Sequence, residues 1–480
     1  MLFNSFEFLI FFPIVTALYF LLPFKYKWAM LLAASCVFYM FFIPVYISIL
    51  AVTIVIDYAA GKWIEDSQGA KRKYFLIMSI ISTCLVLFVF KYFNFFNESF
   101  RAIAVFLHLN YPIGILNVIL PIGLSFHTFQ SLSYVIEVYR GKQKAERNFG
   151  IYSLYVMFYP QLVAGPIERP QNLIHQFHED HPFDWQRVKD GIKLMAWGMF
   201  KKVVIADRLA IVVNHVYASP NDYSGIYLLL ATVFFAFQIY CDFSGYSDIA
   251  IGSAQVMGFK LMDNFNRPYF SKSIAEFWKR WHISLSTWFR DYLYISLGGN
   301  RVSKPRWYFN LFITFLISGL WHGANWTFVI WGALNGFYLV FSIWTEGIRK
   351  NVSGVTGLAA HPKLHKYFKV GVTFALTCFA WIFFRAKSLP DALNIIGRIF
   401  TEFGGALDIK RLGVRPYEFV IALAAIAFLE AVHLVQRHGE IRHMLKSQPV
   451  FVRWGIYYAI LFGILMFGEF NLTQFIYFQF

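Results

Sequence analysis

LFNSFEFLIFFPIVTALYFLL, residues 2–22, carries a single charged side chain, Glu7. A helix of about 20 apolar residues matches a hydrocarbon core of roughly 30 Å, so the stretch reads as a membrane span. It has neither the basic n-region nor the small-residue cleavage site of a signal peptide and is expected to be retained. Similar runs recur to the end of the chain. Of its 480 residues, 58% are hydrophobic, 20% aromatic and only 15% charged, and the mean hydropathy is +0.51. These values lie far from those of a soluble globular domain and define a polytopic membrane protein with an all-α fold, because helices satisfy their own backbone in lipid.

Apolar runs bounded by charge, Pro or Gly give roughly twelve crossings. They are expected near 2–22, 28–43, 45–60, 74–91, 112–139, 190–216, 224–258, 308–321, 323–345, 368–385, 416–435 and 451–468. Pro121 interrupts one, and YVMFYPQLVAGPIERP reads as a re-entrant turn. Irregular backbone survives at membrane depth only where protein or a water-filled cavity covers it. The net charge of +16, from 43 Lys and Arg against 27 Asp and Glu, gathers in short loops, as the positive-inside rule requires, and does not call for nucleic acid. Lys25 and Lys27, then Lys62 and Lys71 to Lys73, then Arg140 to Arg147 mark alternate loops as cytoplasmic. The stretch 259–307 then falls in the cytoplasm and both ends outside. The four cysteines show no paired spacing, so neither a disulfide framework nor a metal site is expected. No internal repeat is evident, and residues 1–480 read as one membrane domain.

FWKRWHISLSTWFRDYLYISLGGNR, residues 277–301, departs from this pattern. At 100° per residue, Trp278, Trp281, Leu285, Trp288, Phe289 and Tyr292 share one face, with Lys279, Arg280 and Arg290 away from its centre. The segment reads as an interfacial helix, its aromatics at headgroup depth. His282 falls at the edge of that face.

His322 lies in ISGLWHGANW between Gly319 and Gly323, which would let a backbone or a ligand approach closely. A neutral imidazole there can take a proton from an attacking hydroxyl; the alternative is a packing histidine bonded across helices. His282 reads either as a second site residue or as an interfacial side chain. Asp242 and Asp248, inside the 224–258 span, need partners, with the arginines of 277–301 as candidates. His127 and the pair Glu168 and Arg169 read as architectural. In the aromatic C-terminal stretch FNLTQFIYFQF, Tyr477 is either part of a hydrophobic staple or an acyl-accepting hydroxyl.

NFNRPYFSKSIAEFWKRWHISLSTWFRDYLYISLGGNR and SGLWHGANWTFVIWGALNG resemble the signature of the membrane-bound O-acyltransferases, and within them the alginate O-acetyltransferase (AlgI) branch. PIGLSFHTFQSLSYVIEVYRG, LVAGPIERP and YCDFSGYSDIAIG follow the same branch in order, so the likeness covers most of residues 1–345. Residues 346–480 supply further helices and the aromatic tail, with little signature over 346–450. The resemblance implies a helical funnel in the bacterial inner membrane with His322 as catalytic histidine and His282 as the second polar position. It implies an acyl donor, acetyl-CoA, entering from the cytoplasm, and a periplasmic hydrolase-like acetyltransferase as partner in acetylating a secreted polysaccharide. No Gly-rich phosphate cradle is present, so Lys279, Arg280 and Arg290 are the expected contacts for the donor's phosphates. Peptidoglycan, teichoic acid and cellulose are alternative acceptors. A transporter is the alternative of another class, and it would more often show repeated halves.

Overall fold

The computed structural model describes residues 1–404, 407–439, 441–470 and 475–476. Among these, every regular element is a helix. Among the described residues, seven helices are long and apolar enough to cross a membrane: Pro44–Asp66, Gly69–Phe106, Gly225–Met257, Trp326–Trp344, Pro362–Arg385, Pro416–His438 and Val450–Phe467. Phe6–Leu21 is apolar but shorter. The protein is therefore a multi-pass membrane protein.

Four of the twelve expected crossings, 28–43, 112–139, 190–216 and 308–321, are not among these, and the second and third take another form. Of 112–139, only Leu124–Tyr139 is helical. Its residues 126–135 are all buried, as in a helix that packs on every side. Over 190–216 the chain is helical throughout, but Phe200–Ala206 widens into a π-helical turn, and residues 200–210 are all buried.

The chain forms two compact units, one of residues 1–195 with 247–262 and one of 196–246 with 263–480. In the first, the stretch expected to re-enter breaks its helix after Phe149–Met157. It then runs irregularly from 163 to 169, and residues 151–168 are buried without exception. Backbone polar groups that leave a helix are kept from lipid in this way. Tyr155 donates to the carbonyl of Glu168 at 3.0 Å, and Glu168 accepts the Met262 N–H at 2.5 Å.

The second unit corrects the reading of 277–301. It is not one interfacial helix but two short ones, Ile274–Trp278 and Ile283–Trp288, followed by a π-helical turn, Phe289–Tyr294. Ser273 starts the first by accepting the Glu276 N–H at 3.1 Å, an N-cap its Ser-x-x-Glu sequence favours. At His282 the backbone turns left-handed, with φ of 43°, which ends any common helical face. Trp278, Trp281, Trp288, Phe289 and Tyr292 are all buried in protein rather than spread at headgroup depth.

Candidate active site

His322 is the last residue of the Lys304–His322 helix. A short turn follows before Trp326–Trp344, whose N-cap Asn325 accepts the Thr327 N–H at 3.0 Å. The two helices meet backbone to backbone: a Cβ on Gly319 would lie 2.3 Å from the Phe328 carbonyl and 2.8 Å from the Gly332 Cα. One on Gly323 would lie 2.2 Å from the Phe328 ring. The glycines beside His322 thus admit a neighbouring helix of the same chain. The imidazole stands edge-on among Trp331 at 5.0 Å, Trp321 at 4.9 Å and Phe384 at 5.5 Å between ring centroids. Such a cage excludes water, which strengthens every electrostatic interaction inside it.

His282 is fully buried and held by a residue the sequence reading did not single out, Asn264. As N-cap of Ile283–Trp288, His282 offers no side-chain bond to that helix; Asn264 supplies the cap instead. Its carbonyl accepts the Ile283 N–H at 3.0 Å, and its Oδ1 accepts the Ser284 N–H at 3.2 Å and the Ser284 hydroxyl at 2.7 Å. Because a backbone N–H can only donate, the Asn264 atom facing it is the oxygen. His282 Nδ1, 3.3 Å from the same oxygen, therefore carries the proton and leaves the lone pair on Nε2. Burial pushes the imidazole pKa down to about 3, so the ring is neutral at physiological pH. A left-handed backbone on a non-glycine residue costs about 1–3 kcal/mol and persists only where its surroundings over-determine it.

The two histidines share one aromatic wall. Trp331, beside His322, stacks on Trp381 at 5.9 Å and 18°, and Trp381 packs on Trp281 at 5.2 Å. Trp281 precedes His282 in the chain. From the other side Phe243 meets the His282 ring at 4.5 Å and 89°. Trp381 and Phe384 come from the segment with little signature; the cluster WIFFR, 381–385, was their only sign in the sequence. Nearby, the Tyr240 hydroxyl bonds His433 Nε2 at 3.0 Å.

The charged candidates divide. Lys279 is exposed, Arg280 pairs with Glu276 at 2.6 Å, and Arg290 pairs with Asp291 at 2.7 Å. Asp242 does not reach an arginine of this segment. It pairs with Lys202 at 2.7 Å, and Lys202 also contacts Asp207 at 2.8 Å. Lysines inside an apolar run were the available signal. His127 lies in the other unit, bonded through Nε2 to Thr53 Oγ1 at 2.5 Å. Tyr477 lies outside the described residues, whereas Phe475 and Ile476 before it are buried. Among the described residues no group of three or more His, Cys, Asp or Glu is placed to hold a metal ion.

Sequence comparison makes the assignment. The profile of the MBOAT, membrane-bound O-acyltransferase family matches residues 16–378, and the chain belongs to that family; it is an O-acyltransferase. Among its relatives, the probable alginate O-acetylase AlgI of Pseudomonas aeruginosa is 41% identical over 438 residues, covering 89% of this chain and 81% of that protein. The peptidoglycan O-acetyltransferase of Helicobacter pylori is 35% identical over 394 residues, covering 76% and 72%. A teichoic acid D-alanyltransferase of Streptococcus thermophilus is 31% identical over 238 residues, covering 46% and 56%.

Proposed function

We propose that this enzyme takes acetyl groups from cytoplasmic acetyl-CoA and passes them across the bacterial inner membrane for O-acetylation of a secreted polysaccharide, alginate or a close analogue. The observation that carries the chemistry is the shared aromatic wall, which holds two histidines in a dry surrounding. His322 acts as general base: its imidazole takes the proton of the acceptor hydroxyl as the oxygen attacks the thioester carbonyl. The C–S bond breaks, and the departing thiolate takes up that proton. His282, neutral and fixed by Asn264, binds through its Nε2 lone pair a donor on the substrate. Lys279, Arg280 and Arg290 attract the phosphates of the donor.

Tyr477 is the proposed acceptor hydroxyl on the enzyme. It holds the acetyl group as a phenolic ester until a periplasmic hydrolase-like acetyltransferase moves it to the sugar. Alginate as final acceptor leans on the 41% identity to an alginate O-acetylase. Peptidoglycan is a second reading, favoured by the 35% identity to a peptidoglycan O-acetyltransferase.

The test is a strain lacking the native gene and complemented with wild type, His322→Ala or Tyr477→Phe. Both variants are expected to lose polymer acetylation by about a hundredfold or more at normal protein abundance. The wild type without its partner should carry an acetyl-tyrosine detectable by mass spectrometry. Full acetylation with His322→Ala refutes the base, and full acetylation with Tyr477→Phe refutes the relay.

A further inference from the structure

Lys202 is 3% exposed, yet its ammonium holds two carboxylates, Asp207 at 2.8 Å and Asp242 at 2.7 Å. A buried ion cluster is a costly way to join helices, since apolar residues of similar volume do so as well or better. The arrangement has another use. While Asp242 Oδ1 faces Lys202, Oδ2 accepts the backbone N–H of Ile476 at 2.8 Å, a contact spanning 234 positions of sequence. A carboxylate accepting an N–H makes one of the stronger hydrogen bonds available to a protein.

A second anchor repeats the pattern. Arg208 donates to the Phe467 carbonyl at 2.7 Å and pairs with Glu469 at 2.9 Å. The Glu469 N–H in turn reaches the Val203 carbonyl at 2.9 Å. The π-helical turn Phe200–Ala206 and the first residues after it thus form a dock for 467–469, while Asp242, paired with Lys202 of that turn, holds Ile476. Docked there, Phe475 packs against Tyr246 at 4.8 Å and Phe243 at 5.7 Å. Phe243 is the ring that meets His282 edge-on.

We propose that Lys202, Asp207 and Asp242 form a clasp that seats Phe475 and Ile476 beside the His282 wall, which makes them positioning residues for acyl transfer. The catalytic consequence rests on the relay reading of Tyr477, the residue that follows Ile476; the clasp itself rests only on these contacts. An apolar staple would have needed the Phe475 ring alone.

The experiment uses the full chain in membranes, with the four free cysteines, Cys36, Cys84, Cys241 and Cys378, replaced and a cysteine pair placed at Tyr246 and Phe475. Ile476→Pro removes the N–H that Asp242 holds and leaves the buried charges paired. In this variant the disulfide between positions 246 and 475 is expected to form at least about tenfold more slowly, with abundance and melting temperature unchanged. In the reduced protein the variant should lose about tenfold to a hundredfold of acetyl transfer, the range a misplacement of about 1 Å produces. Oxidation to the disulfide should restore most of that loss. Asp242→Ala should slow the disulfide equally. An unchanged disulfide rate in Ile476→Pro overturns the clasp, whatever the activity. Failure of the relay reads out separately: Tyr477→Phe would then be active, while its disulfide would still form at the wild-type rate.

Discussion

Two regions of the molecule bury ionisable side chains in different ways. In the unit of residues 1–195 and 247–262, hydroxyls close around them. His127 meets Thr53 at 2.5 Å, and Asp57 accepts Ser79 at 2.6 Å and Thr83 at 3.1 Å. In the other unit the two histidines stand edge-on to rings, His322 against Trp331 and His282 against Phe243. Hydroxyls satisfy a buried polar group and lock the helices that carry them. Rings exclude water, and at His282 the one bond that Asn264 makes fixes the Nδ1 proton and leaves the lone pair on Nε2. The surroundings, more than the residue type, separate a structural histidine from a candidate catalytic one.

The largest expected effect sets the two regions against each other. His322→Gln should lower acetyl transfer per folded molecule by about a hundredfold or more, whereas His127→Gln should leave it within about twofold and lower the melting temperature instead. Acetyl content of the polymer normalised to folded enzyme measures the first, and a thermal melt in detergent the second. A reversed outcome breaks the comparison. Next comes the residue that orients His282. Asn264→Ala removes an oxygen that receives His282 and Ser284 and is expected to cost about tenfold to a hundredfold in rate, the scale on which metal-bound histidines respond to losing the group that orients them. An unchanged rate would mean that the ring needs no fixing.

Asp57→Ala should act on stability alone. It leaves the Ser79 and Thr83 hydroxyls buried without their acceptor, at a cost of about 1–3 kcal/mol for each, with turnover per folded molecule preserved. Changed turnover would place Asp57 in the reaction.

The smallest effect is on pH. The pKa of His282 is lowered from 6.5 to about 3 by burial, so the unfolded chain binds a proton that the folded chain refuses. Stability from this group is complete above pH 6.5 and falls as the pH drops from there toward 3. At pH 5 the loss is about 2 kcal/mol, from 1.36 kcal/mol per unit. His282→Gln should flatten that part of the melting temperature profile relative to wild type; parallel profiles would show that folding leaves the pKa of this imidazole unchanged.

Legibility in the sequence followed the range of the interactions involved. His322 stood out because a histidine between glycines in an apolar run is a local anomaly. Asn264 did not, since an asparagine eighteen positions from its histidine has no local mark. The helical wheel over 277–301 failed for a specific reason: it assumes a constant 100° per residue, and the left-handed backbone at His282 breaks the series. The same residues bury their rings, but against Trp331 and Trp381 from later in the chain. Asp242 was expected beside an arginine of that segment. It lies with Lys202 because Gly245 lets the two stretches close up; a Cβ there would stand 2.7 Å from the Gly198 carbonyl.

What the sequence determined by itself is the membrane character, the all-helical class and the family, and it singled out the two histidines as candidates. Transfer free energy is a sum over neighbouring residues and a signature is a string, so both can be read along the chain. Which side chains enclose each histidine, and which cation Asp242 meets, were decided only in the tertiary structure. Those pairings join positions such as 202, 242 and 476, and their energies depend on distance and desolvation, which exist only once the helices have packed.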